Sequence, residues 1–283
     1  VQTHRHGLNA PSPAPQIIAC LPLDTSDTMC FLVLCLVLSL GGIDAVPPIQ
    51  TGIVGNTECA KDSHPWMVFV GQDFSMRCVG VLVDPKWVLT SADCFLLYSA
   101  VWLGRHNMSQ HEDSGQYIRI NQTFIHPHFW WLQGFDFNFN LMLFRLEEPV
   151  KMTHAVRVVD LPTKDFKLGT KCQVLGWGTT AISPLSFNNP YPDVLHCVGV
   201  RVRPYVKSSR LRRVTKNTTF AGDKNLSGDI CVGDTGSPLI CNGVLHGIMA
   251  KSRVQCNNGQ RSSVYTKVWS HITWIKTIMR VNS

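Results

Sequence analysis

The sequence lacks an apolar run long enough to cross a bilayer as a helix. The run Cys30–Leu40 falls well short of the roughly 20 residues that such a span takes. It also lacks any CxxC pair: its 11 cysteines are scattered along the chain rather than grouped as metal ligands, so a metal centre of that spacing is excluded. No internal repeat stands out. Residues 1–28 lack an initiating methionine and any apolar period, and are read as an upstream, disordered segment outside the mature protein. Between Arg201 and Asn217 there is no acidic residue at all.

What is present suits a secreted β-rich domain. A chain of 283 residues with 45% hydrophobic residues can bury a full core, as one large domain or two small ones. So many scattered cysteines point to disulfides and an oxidising compartment. The segment Met29–Ala45 has an apolar core followed by small residues and reads as a secretory signal ending at Ala45, the alternative being a buried strand. With Cys20, Cys30 and Cys35 set aside, Cys59, Cys78, Cys94, Cys172, Cys197, Cys231, Cys241 and Cys256 remain, an even number that fits four bridges. The sequons at Asn107, Asn121, Asn217 and Asn225 are candidate glycan acceptors.

From Ile53 onward, short β-rich runs such as CVGVLVDPKWVLT, YIRINQTFI and KCQVLGWG alternate with turn clusters, which predicts an all-β barrel or sandwich. The end of the chain differs. Val268, Ile272, Ile275 and Ile278, widened by Trp274, fall near helical spacing and predict one amphipathic helix over about 267–280. The segment 201–217 carries seven basic residues, as many as the formal net charge of +7. Charge so localised suits a sulfated polysaccharide or another anionic surface, or else a solvated loop; nucleic acid is not expected for a secreted chain.

The ordered blocks IVGN, DSHPWMV, VGVLVDPKWVLTSADC, VWLGRHN, NLMLFRLEEPV, LGWG, CVGDTGSPLIC and SVYTKV resemble the trypsin-like serine proteases, and more closely the glandular kallikreins. The resemblance runs from Met29 to the C-terminus. It implies two six-stranded antiparallel β-barrels packed together with a C-terminal helix, a site in the cleft between them, a propeptide-like segment 46–52 and a protease domain 53–283. It also implies the pairs Cys59–Cys197, Cys78–Cys94, Cys172–Cys241 and Cys231–Cys256. A further family bridge is missing, since Ser208 and Phe220 stand near its positions.

The family's chemistry needs a hydroxyl nucleophile, a histidine that takes its proton and an aspartate that orients the imidazole. Carried onto this sequence, the three positions hold Thr235, Asp93 and Asn140. A carboxylate is a weak base with a short reach, and an amide has no charge to stabilise an imidazolium. An internal threonine also lacks the terminal amine that activates threonine nucleophiles. His64, His106, His126 and His128 lie nearby in sequence, but none occupies the base position.

The resemblance assigns the oxyanion hole to the backbone of Gly233 and Thr235, next to Ser237 where the family has a glycine. The specificity pocket falls on Asp229, Lys251, Ser252 and Ser263, and the activation salt bridge on Ile53 and Asp234. Asp229 is either a pocket carboxylate for Arg or Lys or an ordinary solvated one, and Lys251 opposes a cationic substrate. Gly52 is not the basic residue behind which trypsin-like activators cut. These readings predict a secreted pseudoprotease that acts by binding an extracellular protein or inhibitor, without cofactor, metal or membrane span. The alternatives are an endopeptidase with residual activity after Arg or Lys, and an unselected, pseudogene-derived product.

Overall fold

The computed structural model describes residues 57–71, 78–95, 100–129, 137–178, 192–204, 215–222, 235–251 and 263–283. They form two closed six-stranded antiparallel barrels and one C-terminal helix. The first barrel comprises β2 (Met67–Val70), β3 (Cys78–Asp84), β4 (Trp87–Thr90), β5 (Ala100–Leu103), β6 (Gln116–Ile125) and β7 (Met142–Leu146), closed in the order β2-β3-β4-β7-β6-β5. The second comprises β8 (Lys171–Gly176), β9 (His196–Arg203), β10 (Thr218–Gly222), β11 (Pro238–Cys241), β12 (Val244–Lys251) and β13 (Ser263–Lys267). It closes where β8 pairs with β9 from Lys171↔Arg201 to Gly176↔His196. The short β1 (Thr57–Glu58) pairs with β9.

Side chains alternate across a strand, so a strand buried on both faces feeds two different cores. On β2, Val68 and Val70 fill the first barrel, whereas Met67 and Phe69 point outward into a second apolar cluster. On β4 the same split sends Val88 inward and Trp87 and Leu89 outward. In the second barrel Val174, Leu239, Met249 and Tyr265 form the interior, while Leu175, Ile240 and Ile248 face out and join that cluster. The shared cluster is the seam that fixes one barrel on the other. This alternation is why β3 and β4 read as continuous hydrophobic runs rather than as half-polar strands.

Three of the expected disulfides are present: Cys59–Cys197, Cys78–Cys94 and Cys172–Cys241. The pair Cys231–Cys256 lies outside the described residues, as do residues 1–56 with the signal and propeptide-like segments. Among the described residues no helix is long and apolar enough to cross a membrane.

The terminal helix α1 spans Ile272–Val281 and is preceded by a 3-10 turn, Trp269–His271. The sequence pattern ran these together because Val268, at its start, is buried in the same cluster as the helix residue Ile275. The helix also rests on a histidine joint. His126, buried just past β6, lies 4.7 Å from Trp274 and 4.8 Å from His271 between ring centroids. The His271 Nε2 sits 2.8 Å from the Asn138 carbonyl oxygen, and the His126 Nδ1 accepts the His128 backbone N–H at 3.2 Å. Burial pushes the His126 imidazole down to about 4, with help from the neighbouring His271 and His128.

Replacing Ile275, which is fully buried, with Ala should cost about 2–5 kcal/mol in urea unfolding with disulfides intact, whereas Val281→Ala, 70% exposed, should cost little. The histidine joint predicts a pH dependence. A base whose folded pKa lies below its unfolded 6.5 binds fewer protons when folded, so its contribution is complete above 6.5 and is lost as pH falls towards about 4. That loss should be on the order of 2–3 kcal/mol. His126→Asn, which retains an acceptor, should flatten the stability profile in that window. An unchanged profile would refute the assignment.

Candidate active site

The site lies where the first barrel's β4 end and the turn after β7's upstream loop meet β12 of the second barrel. Ser91, directly after β4, caps the 3-10 turn Ala92–Cys94, its hydroxyl oxygen accepting the Asp93 N–H at 3.3 Å. The Cys78–Cys94 bridge ties that turn to β3. Asp93 is thereby set at the lip of the cleft, solvent-exposed, whereas Asn140 lies buried beneath it, 2% exposed.

Asn140 is held by four hydrogen bonds. Its Oδ1 accepts the Ser91 hydroxyl at 2.9 Å and the Asp93 backbone N–H at 3.2 Å. Its Nδ2 donates to the Asp93 Oδ2 at 2.8 Å and to the Ala250 carbonyl on β12. This network fixes which way the amide faces, because only nitrogen can donate to both oxygens. Every donor of the amide and two acceptor positions are engaged, so the group is buried without an orphan. An aspartate at 140 would instead place an oxygen where Nδ2 stands, facing the Asp93 carboxylate and the Ala250 carbonyl with no proton to donate. Because Asp93 reaches solvent, only the residue at 140 would carry the burial cost of such a carboxylate pair.

Thr235 enters from the second barrel, in the turn before β11. Its carbonyl accepts the Val79 N–H at 2.9 Å and lies 3.7 Å from the sulfur of Cys94, the residue after Asp93. The three positions therefore converge. The backbone next to Thr235 admits only glycine: Gly236 has φ +89°, and a Cβ there would lie 2.0 Å from the Val79 carbonyl oxygen. The Thr90 hydroxyl donates to that same oxygen at 2.7 Å, so β3, β4 and the Thr235 turn share one anchor. Ser237 pairs with β12 through its backbone, its carbonyl accepting the Met249 N–H at 2.8 Å. Its buried hydroxyl has no partner among the described residues.

Other predicted positions fall variously. Lys251 ends β12, its backbone paired with Val264, and Ser263 begins β13, half-buried and paired with Ala221. Gly233, Asp229, Ser252, Ile53, Asp234 and the sequon Asn225 lie outside the described residues. Asn121 is exposed at a bulge of β6 between Ile120 and Gln122. Asn107 and Asn217 are half-buried; the Asn107 Oδ1 accepts the hydroxyl of its sequon partner Ser109 at 2.8 Å.

The nearby histidines serve elsewhere. His64 lies 2.7 Å from the Ser63 hydroxyl and stands edge-on to Trp66, with its pKa lowered by burial. His106 sits 2.8 Å from the Glu58 carboxylate. His64 also approaches Cys59 and Cys197, a grouping of metal-ligand type, but those sulfurs are disulfide-bonded and offer no thiolate. Sequence reasoning missed Ser91 and Ala250. Ser91 had a signal, as a capping residue ahead of ADC; Ala250 had none, because it acts through its carbonyl.

The trypsin family matches residues 53–275. The chain is 41% identical to horse kallikrein-1E2 over 265 residues, covering 90% of this chain and 100% of that protein. It is 41% identical over 264 residues to rat glandular kallikrein-10, with the same coverage. Among solved structures it resembles mouse neuropsin, described as a serine protease expressed in the limbic system, with a TM-score of 0.71 at 33% identity, covering 79% of this chain and 98% of that one.

The Asn140 network generates a stability test. Asn140→Asp should lose about 1–3 kcal/mol at pH 7, because the new carboxylate removes two donors and faces another oxygen pair. Its folded pKa would be raised by burial and by Asp93, so the deficit should shrink as pH falls and the acid regains a proton to donate. Urea unfolding at pH 7 and pH 4.5, each read against the unmodified chain, checks this. A deficit equal at both pH values would sink the account.

Proposed function

This chain belongs to the trypsin family, as a kallikrein-like serine protease homologue, and we propose that it is a secreted pseudoprotease that acts by binding rather than by hydrolysis. One observation carries the reading: the Asn140 amide is closed onto Asp93 and the Ala250 carbonyl. Proton transfer in this family runs from a hydroxyl to an imidazole that is held by a carboxylate. Here Asp93 takes the place of the imidazole, and its partner is a neutral amide whose donors are spent on the Asp93 carboxylate and the Ala250 carbonyl. A carboxylate so placed is a poor base for a hydroxyl, and in the trypsin template the amide replacement alone lowers turnover about ten-thousandfold.

Secretion is supported by the Met29–Ala45 signal pattern, the disulfides and the secreted character implied by the family resemblance. Gly52 before Ile53 supports persistence of the unprocessed form, and Lys251 next to the Asp229 pocket position supports weak binding of Arg or Lys. The second reading, residual cleavage after basic residues, draws on the retained frame of Thr235, whose turn keeps its glycine and its anchor on Val79. An oxyanion hole can give slow turnover even without a working base.

The deciding comparison uses the full chain with Gly52→Arg to permit activation, assayed on Arg and Lys peptide substrates beside the same chain carrying Thr235→Ala. The expected result is no turnover in either and no labelling of Thr235 by fluorophosphonates. Turnover in the first that vanishes in the second would make Thr235 a nucleophile and end the pseudoprotease reading. Groups that work as a unit fail together. Single reversions at 93, 140 or 235 should therefore recover almost nothing. The triple reversion Asp93→His, Asn140→Asp, Thr235→Ser should recover only part of the activity, because Ser237 and Lys251 remain.

A further inference from the structure

Alternation along β9 turns Val198, Val200 and Val202 into the second barrel and leaves Arg201 and Arg203 on its outer face. Pairing sets the exposed Lys171 of β8 directly opposite Arg201. Like charges opposed in this way repel each other across the ladder and weaken the pairing. Among the described residues neither these three cations nor the exposed Lys216 has an ion-pair partner; Arg201 donates only to the Gly169 carbonyl, at 3.3 Å. Among the described residues the positive charge of this cluster is left without a counter-ion.

Beside this strip is a cavity of about 470 Å³, within the range of small-ligand sites. Arg203 and Lys216 contribute to its wall, Phe166 and Leu168 supply apolar surface, and no carboxylate lines it among the described residues. Lys267 also lines it, but its ammonium is paired with Asp165 at 2.8 Å and lies 5.0 Å from the centre of the Phe166 ring. Its charge is therefore largely spent locally.

We propose that the outer face of the second barrel, comprising Lys171, Arg201, Arg203 and Lys216 with the Phe166–Leu168 cavity beside them, is a binding site for a sulfated polysaccharide. Lys171, Arg201 and Arg203 lie along and across the adjacent strands β8 and β9, and Lys216 meets Arg203 at the cavity wall, so a linear polyanion can bridge several at once, and the apolar wall suits the C–H face of a sugar ring. Lys171, distant in sequence from the 201–217 segment, becomes part of the site only through the β8–β9 pairing. This site deepens the binding role proposed above but is independent of the catalytic state of the cleft.

The test is heparin affinity of the full secreted chain at fixed pH and graded salt. Replacing Lys171, Arg201, Arg203 and Lys216 with Ala should weaken binding roughly tenfold or more at low salt, with the difference shrinking as salt screens the charges. A control that removes the same charge elsewhere, with Arg119, Lys151, Arg157 and Lys276 replaced by Ala, should bind nearly as the unmodified chain does. Desulfated heparin should bind far more weakly, and free inorganic sulfate should compete only at high concentration. Equal losses in the two quadruple variants would reduce the effect to net charge and overturn the site. So would undiminished binding of desulfated heparin. Circular dichroism of both variants verifies that each retains its fold. Neither outcome bears on hydrolysis, so failure here is distinguishable from failure of the pseudoprotease reading.

Discussion

Burial on both faces of the barrel strands is the constraint from which the rest of the molecule follows. A six-stranded barrel can fill its interior with alternate residues of each strand, but the other half of the alternation then points outward. Where those outward residues are Met67, Phe69, Leu89, Leu143, Leu175 and Ile248, they must be covered, and each barrel covers the other. Trp177 shows the economy of the seam: fully buried, it packs edge-on against Phe69 while its indole N–H donates to the His106 carbonyl at 3.0 Å. Polar groups can enter such a seam only when their hydrogen bonds are met, because an orphaned buried group costs about 1–3 kcal/mol.

That rule explains the chemistry at 93 and 140 better than composition does. The surroundings of Asn140, namely the Asp93 N–H, the Ser91 hydroxyl and the Ala250 carbonyl, offer both donors and an acceptor. A side chain with both kinds of group fits them; a carboxylate meets only the donors. With Asp93 overhead, the amide is the complementary choice, and the two residues are best understood as one change. Ser237 is the counterexample within the same site. Its hydroxyl is buried without a partner among the described residues, a cost that no contact there offsets.

Much of this was legible in the sequence. The resemblance carried by the ordered blocks led to the barrels and to three observed bridges, and the apolar stripe led to the helix, displaced only because Val268 joins the core ahead of the helix. Asp93, Asn140 and Thr235 could be named as one site from their motifs. What stayed hidden were relations made by backbone atoms or by pairing. The Ala250 carbonyl has no residue-type signature, the exposure of Asp93 depends on the turn that Ser91 caps, and the opposition of Lys171 to Arg201 is a matter of strand register. The histidine joint was missed for the same reason, since His126 and His271 are 145 positions apart and meet only when the helix docks.

Register also explains how the two ends of the molecule can diverge in role. The cleft is governed by the seam, where each polar atom must be matched inside the fold, so a change at 140 is answerable to its neighbours at 93 and 250. The outer face of β8 and β9 has no such obligation. Its inward residues Cys172, Val174, Val198, Val200 and Val202 hold the barrel, and the outward positions are free to carry any charge that solvent or a ligand can meet. At the seam the amide–carboxylate pair meets the polar groups around it, so the residues at 93 and 140 are held without an orphaned atom on Asn140. At the same time the outer face carries cations without an ion-pair partner among the described residues, on a face whose packing they do not touch. The separation rests on the two-residue period of the strand, which lets one face answer to the core and the other to whatever meets it from outside.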